Sequence, residues 1–211
     1  MLLLAEELLL IAIDDEKGTL HSSVLRPMDY GVAGALLMDL LLSDRIRIQD
    51  GQVKMADRSP TSHPILNDLL ERIPNYPDGS LDALVGAIGD DKQNYQEQVI
   101  EQLVQNRIVT QEEHRTLGVF SSFRYPLRDP TAKNLAVRCL RDVVLNDKPP
   151  DRPMVYLISL VRAMDLTRMI FERSERRKAQ EAMHRIAGDE PVGLAIESMF
   201  TTVDPDMILD Q

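Results

Sequence analysis

The sequence predicts a mainly α fold: a single globular helical domain over residues 1–211, with one or two small β-hairpins. Apolar residues make up 44% of the chain, yet aromatic residues supply only 4% and tryptophan is absent, so Leu, Ile, Val, Met and Ala must build the core. Unbranched and γ-branched side chains lose little rotamer freedom in a helix, which favours helix over sheet. Those residues also recur at helical spacing along most of the chain. A length of 211 residues suits one ample core better than two cramped ones.

Residues 2–13 read as a buried helix, apolar on most sides, with Glu6 and Glu7 marking its wet edge. Asp14-Asp15-Glu16-Lys17-Gly18 is a turn in which Gly18 supplies a positive φ. Residues 19–25 are either a short strand or irregular, and Pro27 breaks any helix there. Asp29 then caps a helix over residues 30–42, where Leu36, Leu37, Leu40 and Leu41 form an apolar face. Its small residues Gly31, Ala33, Gly34 and Ala35 invite another backbone to approach closely. Two glycines weaken an isolated helix, so packing has to compensate.

Residues 45–48 alternate polar and apolar, Asp50-Gly51 is a hairpin signal, and residues 52–56 return as the partner strand. A helix followed by a small hairpin resembles a winged-helix arrangement. A helix over residues 65–73 precedes the strongest loop signal, Pro74-Asn75-Tyr76-Pro77-Asp78-Gly79. Ser80 caps a short helix through Ile88, which Gly89-Asp90-Asp91 stops. Residues 93–105 are amphipathic with Val99, Leu103 and Val104 inside, and Ile108-Val109 with Val119-Phe120 bracket a second hairpin.

A helix over residues 131–145 buries Leu135, Val137, Leu140 and Val144, and Cys139 beside them reads as a core thiol. Pro149-Pro150 separates it from a central apolar helix over residues 154–164. Residues 165–187 read as one long charged helix ended by Gly188, and residues 190–200 as a last one before an acidic tail.

With 24 basic against 34 acidic side chains the formal charge is −10, which excludes nucleic acid as a partner and opposes an anionic bilayer. One cysteine permits no internal disulfide and fits a reducing compartment. The N-terminal apolar run lacks a basic leader and is interrupted by Glu6 and Glu7, so it does not read as a signal sequence. No stretch is long enough to span a bilayer as a helix. The expected location is cytoplasmic, at most peripheral to a membrane.

His21, His63, His114 and His184 share no ligand spacing, and no phosphate-cradling glycine loop or nucleophile elbow occurs. No metal or other cofactor and no enzymatic activity is expected. The acidic clusters Asp14-Asp15-Glu16, Asp90-Asp91 and Glu112-Glu113 fall at turns or helix ends, where solvated acids are ordinary. Arg168, Arg173, Arg176, Arg177, Lys178 and Arg185 gather positive charge on one predicted helix, either as a phosphate or acidic-partner site or as a solvated face paired with Glu172, Glu175 and Glu181; the solvated face is the preferred reading. Leu117-Gly118-Val119-Phe120 with Phe123 lies on a predicted loop, where apolar residues either contact a partner or bilayer or fold back into the core.

Several blocks, in order, resemble the Golgi phosphoprotein 3 family. They are Leu3-Leu4-Ala5-Glu6-Glu7-Leu8-Leu9-Leu10 with Asp14-Asp15-Glu16-Lys17-Gly18, the helix Gly31-Val32-Ala33-Gly34-Ala35-Leu36-Leu37-Met38-Asp39-Leu40, the strand Arg45-Ile46-Arg47-Ile48, and Leu69-Leu70-Glu71-Arg72-Ile73. Leu117-Gly118-Val119-Phe120 with Arg124-Tyr125-Pro126 looks like the bacterial branch. The resemblance implies a largely helical peripheral adaptor, without metal or catalytic group, that binds phosphatidylinositol 4-phosphate in a basic pocket and holds the cytoplasmic tails of glycosyltransferases.

Carried over residue by residue, the family's headgroup tryptophan falls near Val24, the arginine of its small-residue helix at Ala33, and its paired arginines at Gln93 and Gln96. Arg26 and Lys92 stand beside these positions as substitute cations, and the membrane-contact loop maps to Leu117, Val119 and Phe120. The hairpin that serves oligomerisation in eukaryotic members is short here. The resemblance with its missing arginines implies a non-enzymatic adaptor for a protein partner or peptide segment, with weak anionic-membrane contact at most. The alternative is an anionic-lipid or phosphoinositide headgroup binder with a pocket rebuilt on Arg26, Lys92 or residues 173–178. A homo-oligomer stays open, because the N-terminal helix is so apolar.

Overall fold

A computed structural model describes residues 2–15, 17–21, 27–116 and 120–201. About 60% of the described residues are helical, in ten helices accompanied by two small antiparallel two-stranded sheets, as the composition predicts. The chain opens with α1 (Leu4–Ala12) and α2 (Met28–Leu42), which pack on each other. Helix α2 is the centre of the fold: only Asp29, Tyr30 and Leu42 of its residues escape burial. A helix apolar on all sides needs neighbours on all sides. They are α1, α3 (Pro64–Arg72), α4 (Leu81–Gly89), α5 (Tyr95–Gln105), α7 (Arg152–Ala163) and α10 (Pro191–Thr201). The small residues serve the expected purpose, with Gly31 against Met164 and Leu8 and Gly34 against Ile196 and Val192.

The two ends of this pair correct the sequence reading. Glu6 is not a wet edge; it is 2% exposed, and its carboxylate turns back to accept the Leu3 N–H at 2.8 Å. Leu3 has no side chain able to cap α1, so Asp39 of α2 reaches across and accepts the N–H groups of Leu4 (3.0 Å) and Ala5 (3.4 Å). Nor does α1 keep apolar surface for a dimer, because α2, α5, α6 (Thr131–Asn146), α7 and α8 (Thr167–Ile170) enclose it. Asp29 does not cap α2, which starts two residues earlier than predicted, at Met28, with Pro27 at the cap position. Pro27 has φ −54°, already suited to a helix start, and Asp29 lies in the first turn, where a negative charge suits the helix dipole.

The first hairpin is as predicted, β1 (Ile46–Gln49) on β2 (Gln52–Met55), with Ile48 opposite Val53. Asp50 (φ 51°) and Gly51 (φ 71°) make the left-handed turn that matches strand twist. Ser80 sits at the start of α4, but its side chain makes no capping bond. Instead Asn94, itself left-handed at φ 47°, caps α5 by accepting the Glu97 N–H at 3.1 Å. In α5, Tyr95, Val99, Ile100 and Leu103 are buried while Val104 is only half-buried. The second hairpin pairs β3 (Glu112–Thr116) with β4 (Phe120–Arg124), and Val109 bridges Leu127 at its base. Residues 108–109 therefore precede the strands instead of forming one.

The loop carrying Gly18 docks on that base. Gly18 has φ 63°, its carbonyl accepts the Tyr125 N–H at 2.6 Å, and a Cβ added there would lie 2.3 Å from the Pro126 nitrogen. Backbone cannot swing aside as a side-chain tip does. Gly18→Ala is expected to cost more than about 2 kcal/mol, and Gly51→Ala, at the same φ sign but in open space, only about 1 kcal/mol. Urea midpoints of the two variants test the difference.

Helix α6 buries Ala136, Leu140, Val143 and Val144, so its inner stripe is shifted from the predicted one; Leu135 is 49% exposed, and Val137 and Cys139 are half-buried. The predicted long helix over residues 165–187 is broken. Asp165 turns left-handed at φ 54°, α8 lasts one turn, and Phe171 is extended before α9 (Arg176–Ala187) begins. Burial of Ile170 and Phe171 fixes the break. Arg141 of α6 holds it, donating to the Ile170 carbonyl (2.8 Å) and to both Glu175 carboxylate oxygens (2.9 and 2.7 Å) and lying over the Phe171 ring.

Candidate functional site

The positions singled out by the resemblance divide into three groups. Val24, Arg26, Leu117 and Val119 lie outside the described residues, as does the side chain of Phe120, which opens β4. Ala33 is 0% exposed inside α2. Lys92 and Gln93 are exposed in the α4–α5 connection, and Gln96 is half-buried on the first turn of α5.

One turn before Ala33, Tyr30 ties the start of α2 to that connection by donating its hydroxyl to Asp90 at 2.8 Å. This bond raises the Tyr30 pKa. The next residue, Asp91, accepts from Arg72 (2.7 Å), the Tyr76 hydroxyl (2.9 Å) and the Gln93 N–H (3.0 Å). Burial opposes its ionisation, but the Gln93 N–H, Arg72 and Tyr76 outweigh burial and hold its carboxyl below the usual range. Tyr76 is pushed up to about 12 by burial and by Asp91. Asp91 is therefore a structural knot and not the solvated acid its place at a helix end suggested. Lys92 and Gln93 are the exposed residues the connection offers a prospective ligand, while Arg72 is committed to Asp91 and Asp68.

The remaining charged features resolve into structural roles. Asp15 pairs with Lys133, which also donates to the Ile13 carbonyl at 2.7 Å, and Asp14 accepts the Lys17 N–H at 2.8 Å. Glu112 and Glu113 lie exposed on β3. The arginine run does not share one helix, since Arg168 is on α8 and Arg173 precedes α9. Arg177 pairs with Glu181 (2.8 Å) and Arg185 with Asp147 (3.5 Å), while Arg176 donates to the Phe171 carbonyl and Lys178 to the Leu145 carbonyl. Glu175 serves Arg141 instead. Buried Ser159 and Glu190 resemble a reactive pair only in composition: Glu190 accepts from Ser159 (3.0 Å), Gly193 N–H (2.7 Å) and Val192 N–H (3.2 Å), which makes it the cap of α10. Among the described residues no group of His, Cys, Asp and Glu is placed to hold a metal ion.

Two of the surface cavities lie between α1 and α6. A cleft of about 480 Å³ at the end of α1 collects Lys17, Lys133 and Arg168, offset by Asp14 and Asp15. An apolar groove of about 310 Å³ runs between α1, α6 and α7, walled by Leu2, Leu135, Pro153, Met154 and Leu157 with Glu7, Cys139 and Asp151 among them. Sequence reasoning missed this groove because Leu135 and Cys139 fit a core stripe and Glu7 fits a wet edge. The one available signal was that Leu135 and Cys139 stand i,i+4 on α6, a spacing that sets them on one face.

No helix among the described residues is long and apolar enough to cross a membrane. No curated protein matches the chain. A sequence model of the Golgi phosphoprotein 3 family (GPP34), however, matches residues 4–203, nearly the whole chain. The order of blocks, the small-residue centre of α2 and this match agree, and the chain belongs to the Golgi phosphoprotein 3 family.

Proposed function

We propose that this chain is a non-enzymatic adaptor that engages a protein segment and has no strong grip on a phosphoinositide headgroup. The supporting observation is Ala33: the position to which the resemblance carries the family's pocket arginine is a sealed alanine, and one turn before it the Tyr30 hydroxyl is bound to the Asp90 carboxylate. Charge-assisted bonds to a phosphate contribute roughly 1.5–3 kcal/mol each, so replacing the family's arginines with Ala33, Gln93 and Gln96 removes most of the recognition energy. The chain's net charge of −10 adds repulsion from any anionic surface. The protein is cytoplasmic and bacterial in this reading, with at most weak contact with a membrane.

Flotation of the full chain with phosphatidylcholine vesicles, with and without phosphatidylinositol 4-phosphate, tests it. The expected result is no retention on either at physiological salt. Saturable retention on the phosphoinositide vesicles, abolished by Lys92→Ala with Arg26→Ala, would overturn it in favour of a rebuilt headgroup pocket.

A further inference from the structure

We infer that the groove between α1, α6 and α7 docks an apolar protein segment bearing one lysine or arginine, with Glu7 receiving the cation. The inference deepens the adaptor reading and rests on it for the occupant being protein. The groove's walls are apolar, and Leu135 stands 49% exposed on α6, whose other face is packed into the core. Its volume, about 310 Å³, accepts roughly two side chains of a docked segment.

Charge decides what kind of segment. Glu7 and Asp151 both line the groove, and among the described residues no Lys, Arg or His does. Asp151 accepts the Met154 N–H at 3.0 Å as the cap of α7. Glu7 has neither a hydrogen-bond donor nor a cation among the described residues. Arg152, next to Asp151 in sequence, is turned toward Tyr156, whose hydroxyl it meets at 3.1 and 2.9 Å. Among the described residues the ionisable groups around Glu7 are Glu6 on α1, Asp39 on α2, Cys139 on α6 and Asp151 ahead of α7, and none of these is cationic. An apolar occupant alone would dry this carboxylate further at a cost; a cation on an apolar stem removes that cost. A lipid chain would leave the carboxylate facing hydrocarbon, which argues against the bilayer as occupant.

The same geometry links docking to protons. Burial, then Glu6 and Asp151, push Glu7 up to about 7. A docked cation favours its ionised form, so docking releases a proton near neutrality and weakens as pH falls below 7.

Cys139 is the only cysteine in the chain and lines the groove, so its alkylation by neutral N-ethylmaleimide reports occupancy. The probe is a short blocked peptide with leucines one helical turn apart around a single lysine; its twin carries norleucine instead. The lysine peptide should slow alkylation of the full chain saturably and bind roughly tenfold tighter than its twin. That preference, taken as the protected-to-unprotected rate ratio at each pH, should shrink from about pH 8 to about pH 6. Glu7→Gln, which removes no hydrogen bond, should erase it. Equal protection by both peptides, no protection by either, a preference that survives Glu7→Gln, or equal protection by phosphatidylcholine vesicles would each overturn the inference. Phosphoinositide flotation reads a different surface, so either result stands without the other.

Discussion

Replacing Gly34 with valine should lower stability by about 3 kcal/mol, although the same change in an exposed helix would stabilise it. A Cβ at Gly34 alone would lie 2.4 Å from Ile196 Cδ1, 2.9 Å from its Cγ1 and 3.1 Å from Val192 Cγ1. Both neighbours are fully buried on α10, so neither tip has space to move into, and α10 itself must be pushed off α2. The β-branch adds further carbons to a gap already filled. Gly34→Ala should cost less, because the gain in helix propensity, about 1 kcal/mol, offsets part of the clash. Shortening the opposing side chain by Ile196→Val should recover part of the loss in both backgrounds. Gly31→Ala is milder still, since its nearest neighbour is the flexible Met164 thioether at 2.8 Å. Urea unfolding of the series gives the ranking; an unchanged midpoint for Gly34→Val would mean that α2 and α10 do not pack this closely.

That contact was legible in the sequence because its cause is local: four small residues in a helix of leucines call for a close neighbour whatever the neighbour is. The Asp50-Gly51 turn was legible for the same reason, since left-handed backbone has a residue preference. Where a reading failed, the deciding energy came from elsewhere in the chain. Nothing within residues 165–187 demands a break; burial of Phe171 and the clamp from Arg141 impose it. Glu6 looks like a surface acid until the helix end it serves is found inside the protein. The candidate site divides likewise. Resemblance singled out Ala33, Gln93 and Gln96, but the carboxylates of the connection beside Gln93 are held by Tyr30, Arg72 and Tyr76, which converge on Asp90 and Asp91 from separate parts of the chain. The groove was illegible because α1, far away in sequence, closes it against α6 and α7, and its exposed leucine fits a core stripe as well as a surface one.

Asp39 should make the protein less stable as pH rises from about 4 to about 7, the opposite of the usual behaviour of a hydrogen-bonded carboxylate. It lies buried between α2 and the start of α1, accepting from Leu4 and Ala5. Those bonds favour its charged form, but burial works harder the other way and Glu7 and Glu6 add to it, pushing its pKa from 3.8 up to about 7. Between those values the folded state binds the proton and the unfolded chain does not. The contribution is therefore complete below about pH 4 and lost as pH climbs through 7, with a ceiling of about 4 kcal/mol. Asp39→Asn keeps an acceptor for the two N–H groups and cannot ionise. It should flatten the pH slope of the urea midpoint across this range and match or exceed the parent above neutrality. Asp39→Ala should instead lose about 2–5 kcal/mol at every pH, because two buried N–H groups are left without an acceptor. A slope that persists in Asp39→Asn and disappears in Glu7→Gln would move the titrating proton from the helix junction to the groove, since Glu7 is raised to about the same value and carries the same sign. If neither change affects the slope, the buried carboxylates at the start of α1 are not what couples this fold to pH.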